Sequence, residues 1–113
     1  MRGRVWVGLD EIGITEIFRS YGQAVQSAAG KLGNIKEYPR KDAVFAIRTR
    51  VFQKSDNHCK DCGNIITWNF HMHEETPRGK GGNISIWNSI ALCANCHLNF
   101  EHGNRRLRFN EPL

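Results

Sequence analysis

The first part of the chain carries apolar residues at helical spacing. The set follows an i, i+3, i+4, i+7 pattern, which predicts one face of a helix: Ile14, Ile17, Phe18 and Tyr21. Asp10 stands where an N-cap would be expected, and Gly22 is positioned to end the helix. We therefore expect a first short helix here, with its apolar stripe packed in the core.

A second set with the same spacing follows at Val25, Ala28, Ala29 and Leu32. It predicts a second short helix that ends at Gly33. The next stretch, residues 34 to 41, contains Pro39 and shows no clear period, so we expect it to be irregular.

Residues 42 to 54 fit two patterns. Asp42 can cap a helix in which Val44, Ile47 and Val51 share a face, whereas the alternation around Ile47 and its β-branched neighbours would also suit a strand. We favour the helix, with the basic side chains of this segment in solvent: Arg48, Arg50 and Lys54.

The second half predicts strand, loop, strand and helix. Residues 65 to 72 are rich in β-branched and aromatic side chains, residues 76 to 82 hold a proline and three glycines, and residues 84 to 92 suit a second strand or a turn. A helix is expected from Ala94 to His102, stopped by Gly103. The predicted fold class is α+β, with a helical region at residues 1 to 54 that packs on a core at residues 55 to 113.

Composition adds a mild preference for polyanionic partners. The 113 residues include 16 Lys and Arg against 11 Asp and Glu, and the isoelectric point is about 9.3. No apolar run approaches the roughly 20 residues that span a bilayer, and the first ten residues do not form a signal peptide. We expect an intracellular, cytoplasmic protein that does not enter a membrane.

All four cysteines lie in two Cys-x-x-Cys pairs: Cys59 with Cys62, and Cys93 with Cys96. Each pair can turn two sulfurs toward one metal, and four thiolates complete a tetrahedral zinc site. A closed four-cysteine site has no open coordination position, so the predicted zinc is structural. The alternative, two disulfides in a secreted domain, fits poorly with an intracellular chain.

The residues between and after the pairs resemble the HNH endonuclease family, whose core is the ββα-metal finger. The similar pieces are a proline and basic loop ending in two glycines (residues 77 to 82), then Asn88, and then a Leu-Cys-x-x-Cys-His run at residues 92 to 97. The resemblance covers roughly residues 59 to 102. It implies a zinc-stapled ββα nuclease core at residues 55 to 113 that hydrolyses DNA with a catalytic Mg²⁺ or Mn²⁺.

One position departs from the family pattern. Counted back from Pro77, the metal-binding Asp of the family falls on His73 and its general-base His falls on Glu74. Three residues thus remain open as the base: Glu74, His73 in a register shifted by one, and His71, which shares a side of an extended strand with His73. Imidazole suits both base and ligand near neutral pH, whereas a carboxylate is a weaker base.

The remaining site residues follow from the same resemblance. His97 is implied as a ligand of the catalytic cation together with His73, and Asn88 as the residue whose amide bridges loop and strand backbone. Exposed cations of the loop, Arg78 and Lys80, can meet phosphate, and the tail could extend this track through Arg105, Arg106 and Arg108.

The sequence thus predicts a metal-dependent HNH-like endonuclease that nicks duplex DNA with low sequence specificity. The alternative is a non-catalytic zinc-knuckle module that binds DNA or protein, and an RNA nuclease is a further alternative. The resemblance also implies a bacteriophage-type context, with phage packaging proteins or a second copy of the chain as further partners.

Overall fold

The computed structural model describes residues 3 to 103, with side chains described up to residue 99. The chain is mixed α+β with antiparallel sheets, as the sequence predicts. Six strands and four α-helices occur in this part: β1 Arg4–Leu9, β2 Ile14–Phe18, α1 Tyr21–Gln26, α2 Ala28–Lys31, β3 Ile35–Pro39, α3 Arg40–Ser55, β4 His71–Glu74, β5 Ile84–Ser85, β6 Ser89–Leu92 and α4 Ala94–Gly103. A 3₁₀ turn, Arg78–Lys80, interrupts the loop between β4 and β5.

A four-stranded antiparallel sheet in the order β3-β1-β2-β5 forms the larger part of the fold. Its fourth strand comes from the second half of the chain, because Ile17 of β2 pairs with Ile84 of β5. Helix α3 packs on one face of this sheet through Ala43, Ile47 and Val51, all buried. Helix α1 lies against β1 and β2, and helix α2 lies against β1.

The predicted helix over residues 14 to 21 is wrong, since Ile14–Phe18 is a strand. Ile14, Ile17 and Phe18 are buried in it, because helices and loops cover both faces of the sheet. A strand buried on both faces shows no polar alternation and cannot be separated from a helix by periodicity. Residues 1 to 54 are therefore not a helical region, although they do contain three helices.

Asp10 explains part of this error. Its Oδ1 accepts the N–H groups of Ile12 and Gly13, each at 2.9 Å, and so closes the turn between β1 and β2. A helix N-cap uses the same side-chain-to-backbone bonds, so an aspartate alone predicts either structure. The true N-cap is Ser20, whose hydroxyl accepts from Gln23 N at the start of α1.

Of the other predicted helices and strands, some are confirmed and some differ in the structure. The helix over residues 42 to 54 is confirmed as α3, and the helix from Ala94 is confirmed as α4. The second predicted helix is broken at Ser27, so that Val25 belongs to α1 and only Ala28–Lys31 forms the short α2. The stretch from Asn34 to Lys41, expected to be irregular, holds strand β3 and the start of α3. The strand expected at residues 65 to 72 begins only at His71.

Arg48 and Arg50 were expected in solvent, and both make defined contacts instead. Arg48 donates to the carbonyls of Trp68 and Phe70, and its guanidinium lies 4.0 Å from the Phe70 ring centroid. Burial lowers the pKa of Arg48. Arg50 forms a two-bonded ion pair with Asp10, with both N–O distances 3.0 Å. These arginines fasten α3 to the segment before β4 and to the β1–β2 turn.

In the described part of the chain, no helix is long and apolar enough to cross a membrane.

Candidate metal centre and histidine cleft

The four cysteines come together in space. Their sulfur atoms all lie within 4.8 Å of one another, and Cys62 Sγ is 3.9 Å from Cys93 Sγ. Four sulfurs about 2.3 Å from a central zinc would be about 3.8 Å apart, so the cluster needs little contraction to bind a tetrahedral ion. All four are free thiols, so no disulfide is formed among them.

Local backbone structure sets this geometry. The first pair lies in a turn where Cys59 N donates to Asn64 O and Gly63 N donates to Cys59 O, with Gly63 at a φ of 77° that favours glycine. The second pair spans the junction of β6 and α4, and Cys93 N donates to Cys59 Sγ at 3.4 Å. The two knuckles therefore join the segment after α3 to the start of α4.

The electrostatics of the cluster favour a bound cation. Burial alone would raise the pKa of the Cys59 thiol, but backbone amides of Cys62, Cys93 and Asp61 outweigh it and lower the pKa to about 7. Burial and a side-chain contact with Asp61 raise the pKa of Cys96 far above its usual range. Four adjacent thiols cannot all ionise without a positive ion between them, so the donor set fits zinc.

A second set of ligand-type side chains lies on β4 and α4. His71 and His73 are two residues apart on β4 and so project to one side of the strand. His71 Nδ1 lies 2.9 Å from His97 Nδ1, and the ring centroids of His73 and His97 are 5.4 Å apart. His71 is exposed and the other two are half-buried. We call these three residues the histidine cleft.

The histidine cleft adjoins the cysteine cluster through α4. Cys96 is buried while the next residue, His97, is half-buried and contacts His71. Successive helical residues point about 100° apart, so one turn of α4 serves both groups. Within the described residues, the four cysteines are the one group of three or more His, Cys, Asp or Glu whose ligand atoms are mutually close enough for a metal. The histidine cleft thus supplies at most two ligands at once, and water or substrate oxygens would complete a coordination sphere.

Glu74 occupies a different side of the hairpin. It pairs with Ser89 of β6 and follows His73 directly, so strand alternation turns it away from the histidine cleft. The structure therefore brings together His71, His73 and His97, and leaves Glu74 on the other face of the hairpin. His71, one of the three residues that the sequence leaves open as the base, is the residue in contact with His97.

Asn88 ties the loop after β4 to the strands, in the bridging geometry that the sequence predicts. Its Oδ1 accepts from Thr76 N at 2.8 Å, and its Nδ2 donates to Thr76 O and Asn83 O, each at 2.9 Å. Its backbone carbonyl accepts from Glu75 N at 2.8 Å. One side chain thus holds both ends of the glycine-rich loop directly after the strand that carries His71 and His73.

The basic loop residues Arg78 and Lys80 lie exposed on the 3₁₀ turn. Arg19, which sequence reasoning did not select, supports this loop by donating from Nη2 to the carbonyls of Arg78 and Gly82. No local pattern marks Arg19, because its partners lie about 60 residues away. Arg105, Arg106 and Arg108 lie outside the described residues.

No family model, no curated protein and no solved structure matches this chain.

Proposed function

We propose that this protein is a metal-dependent endonuclease of the HNH type, which hydrolyses phosphodiester bonds in DNA and nicks the duplex with low sequence specificity. The observation that carries the proposal is the meeting of His71, His73 and His97 beside the four-cysteine cluster. A structural zinc module needs the cysteines alone. Three converging histidines on an open surface are the additional groups that hydrolysis requires.

The zinc proposed for the cysteine cluster has a structural role. It would link the segment after α3 with the start of α4, and its binding free energy would contribute to folding. Because α4 also carries His97, the zinc would fix the position of that imidazole relative to β4. The cluster has four protein ligands, which leaves no position for water.

The resemblance implies His73 and His97 as ligands of a second cation, but the two imidazoles in contact are those of His71 and His97, and this pair is suited to hold it. Two nitrogens bound at about 2.1 Å in adjacent octahedral positions would be about 3.0 Å apart, close to the 2.9 Å between His71 Nδ1 and His97 Nδ1. Mg²⁺ prefers oxygen ligands, so an imidazole pair favours Mn²⁺ over Mg²⁺. Such a cation would neutralise charge on the phosphate and the leaving oxygen.

The third histidine would then activate water. In this arrangement His73 accepts a proton from water as the oxygen attacks phosphorus, and the bond to the departing sugar oxygen breaks as that oxygen gains a proton from solvent. Asn88 keeps the loop closed on the end of β4, so the imidazole stays in place. A single centre cuts one strand, so double-strand cleavage would require two chains or two successive nicks.

The test is supercoiled plasmid incubated with purified protein in Mn²⁺, Mg²⁺ or EDTA. His97→Ala should abolish metal-dependent nicking while zinc content and melting temperature stay near wild type. His58→Ala is the matched control, because His58 is exposed and its ring Nδ1 lies 2.6 Å from Asp56 O, away from β4 and α4. If the plasmid stays supercoiled with folded, zinc-loaded wild-type protein, the proposed nuclease activity is refuted and the zinc-knuckle binding module is favoured. Cleavage of single-stranded RNA but not plasmid would assign the activity to RNA.

A further inference from the structure

A cavity of about 340 Å³ lies between the four-stranded sheet and the glycine-rich loop. Its floor is apolar and includes Ile17 and Ile84, which pair across β2 and β5. Three arginines line it, and each comes from a different segment: Arg19 follows β2, Arg40 begins α3, and Arg78 lies on the loop. The tertiary fold alone brings these three cations to one place.

No acidic residue lines this cavity among the described residues. The two ion pairs in the described part of the chain join other arginines to acids, Arg4 to Glu37 and Arg50 to Asp10. Glu16 lies behind Asn83 and accepts from its Nδ2 at 3.0 Å, and burial raises the pKa of Glu16. Three guanidinium groups beside one cavity repel one another unless an anion lies between them.

One of the three guanidinium groups is already oriented. Arg19 donates twice from Nη2, to Arg78 O and to Gly82 O, which fixes the group at the base of the loop. Both bonds use a single nitrogen, so the other N–H donors of the fork can serve a ligand. A planar guanidinium held in this way is suited to bidentate contact with phosphate oxygens.

A second observation in the same cavity concerns Asn83. Its Nδ2 donates to Glu16 Oε2 and to Gln23 Oε1, which fixes which way the amide faces. Its Oδ1 is buried and has no hydrogen-bond partner among the described residues. A buried acceptor without a donor is unfavourable, so the wall that Asn83 forms beside the arginines carries a polar cost that the packing leaves uncompensated.

We infer that this cavity binds a backbone phosphate of the nucleic acid on which the histidine cleft acts, an inference that rests on the proposed nuclease function. The loop that supplies Arg78 is the loop that Asn88 ties to the end of β4. The N-terminal sheet is then part of the substrate track, through Arg19 and Arg40. The contact positions the duplex and reads no sequence, which agrees with low specificity.

The experiment measures binding of a fluorescent duplex by anisotropy in EDTA, where no cleavage occurs, over a range of salt concentrations. Binding weakens as salt rises, so the slope of log K against log salt is negative. Arg40→Gln and Arg78→Gln each remove one cation and should make this slope shallower by about 0.9 for each lost phosphate contact. Arg4→Gln is the matched control, since Arg4 is an arginine of β1 already paired with Glu37. In the nicking assay the same two variants should raise KM several-fold and leave kcat near wild type.

The outcomes separate this inference from the proposed function. If wild type nicks DNA but both variants keep the wild-type salt slope, the phosphate site is refuted and the nuclease stands. If the slope falls in both variants but wild type never nicks, the nuclease fails and the phosphate site stands. Inorganic phosphate that competes as well as the duplex does, at equal phosphate concentration, would show a free-phosphate site and overturn the assignment to nucleic acid. Melting temperatures of the two variants equal to that of wild type would exclude misfolding as the cause of a changed salt slope.

Discussion

His71 and His97 contact each other through their Nδ1 atoms, 2.9 Å apart, although 26 residues separate them in the chain. At this distance one nitrogen must carry a proton and the other must accept it, or a cation must replace the proton. The second arrangement makes the pair a two-nitrogen ligand. A cation held by this pair would lie at the boundary between β4 and α4, next to the cysteine cluster.

The three residues that sequence spacing left open as the base can be separated by substitution. Because Glu74 lies on the far face of the hairpin, Glu74→Gln should nick plasmid within a few-fold of wild type. His73→Ala should lose about 10²- to 10⁴-fold in rate, the usual contribution of a general base. Single-turnover nicking in Mn²⁺ measures both, and a Glu74→Gln rate as low as that of His73→Ala would return Glu74 to the role of base.

Removal of the proposed zinc should destabilise the whole fold, because the two cysteine knuckles connect the segment after α3 to α4. We expect one zinc per chain by elemental analysis, and a marked fall in melting temperature with a strong chelator. Cys96→Ser should show the same fall without chelator, since Cys96 is one of the two buried cysteines. A melting temperature indifferent to chelator in wild type would contradict a structural metal.

Gly82 should tolerate no side chain. A Cβ at this position would lie 1.7 Å from Thr76 O and 3.0 Å from Asn88 Nδ2, so Gly82→Ala must open the loop that Asn88 closes. The matched control is Gly79→Ala on the same loop, where a Cβ meets nothing within 4 Å. We expect Gly82→Ala to lower both the melting temperature and the nicking rate, and Gly79→Ala to leave both unchanged. Equal behaviour of the two variants would rule out the close approach seen here.

Asn88→Ala removes three side-chain hydrogen bonds that span the loop. With about 1 kcal/mol for each bond, the free energy of unfolding should fall by about 3 kcal/mol. Urea denaturation measures this, with Asn69→Ala as the control, since Asn69 is an exposed turn residue. A loss no larger than that of the control would mean that the loop closes without Asn88.

The Asp10–Arg50 pair predicts a dependence of stability on acid pH. The hydrogen bond from Arg50, helped by the backbone amides of the turn, lowers the pKa of Asp10 from 3.8 to about 2. A carboxylate with a lowered folded-state pKa stabilises the fold above its unfolded pKa and loses this effect as pH falls. Stability should therefore decline between about pH 4 and pH 2 in wild type, and less steeply in Asp10→Asn. Chemical denaturation across this range tests it, with Glu11→Gln as the control.

The sequence by itself determined those features whose residues are close in the chain. Two Cys-x-x-Cys pairs indicate a four-thiolate cluster, since each pair is a local turn. Helix α3 and the order strand, loop, strand, helix after residue 70 follow from local periodicity and from the glycines. The bridging amide of Asn88 was implied by the family resemblance, and its hydrogen-bond partners lie within 12 residues of it.

Only the tertiary structure decided features that depend on distant neighbours. Residues 14 to 18 form a strand because β1 and β5 pair with it and helices cover the sheet, and none of those partners is visible in the local pattern. The same is true of the contact between His71 and His97, and of the cavity that gathers Arg19, Arg40 and Arg78. Backbone pairing and side-chain convergence depend on how separate segments dock. A local pattern records which residues can share a face, and the packing of the whole chain determines what that face meets.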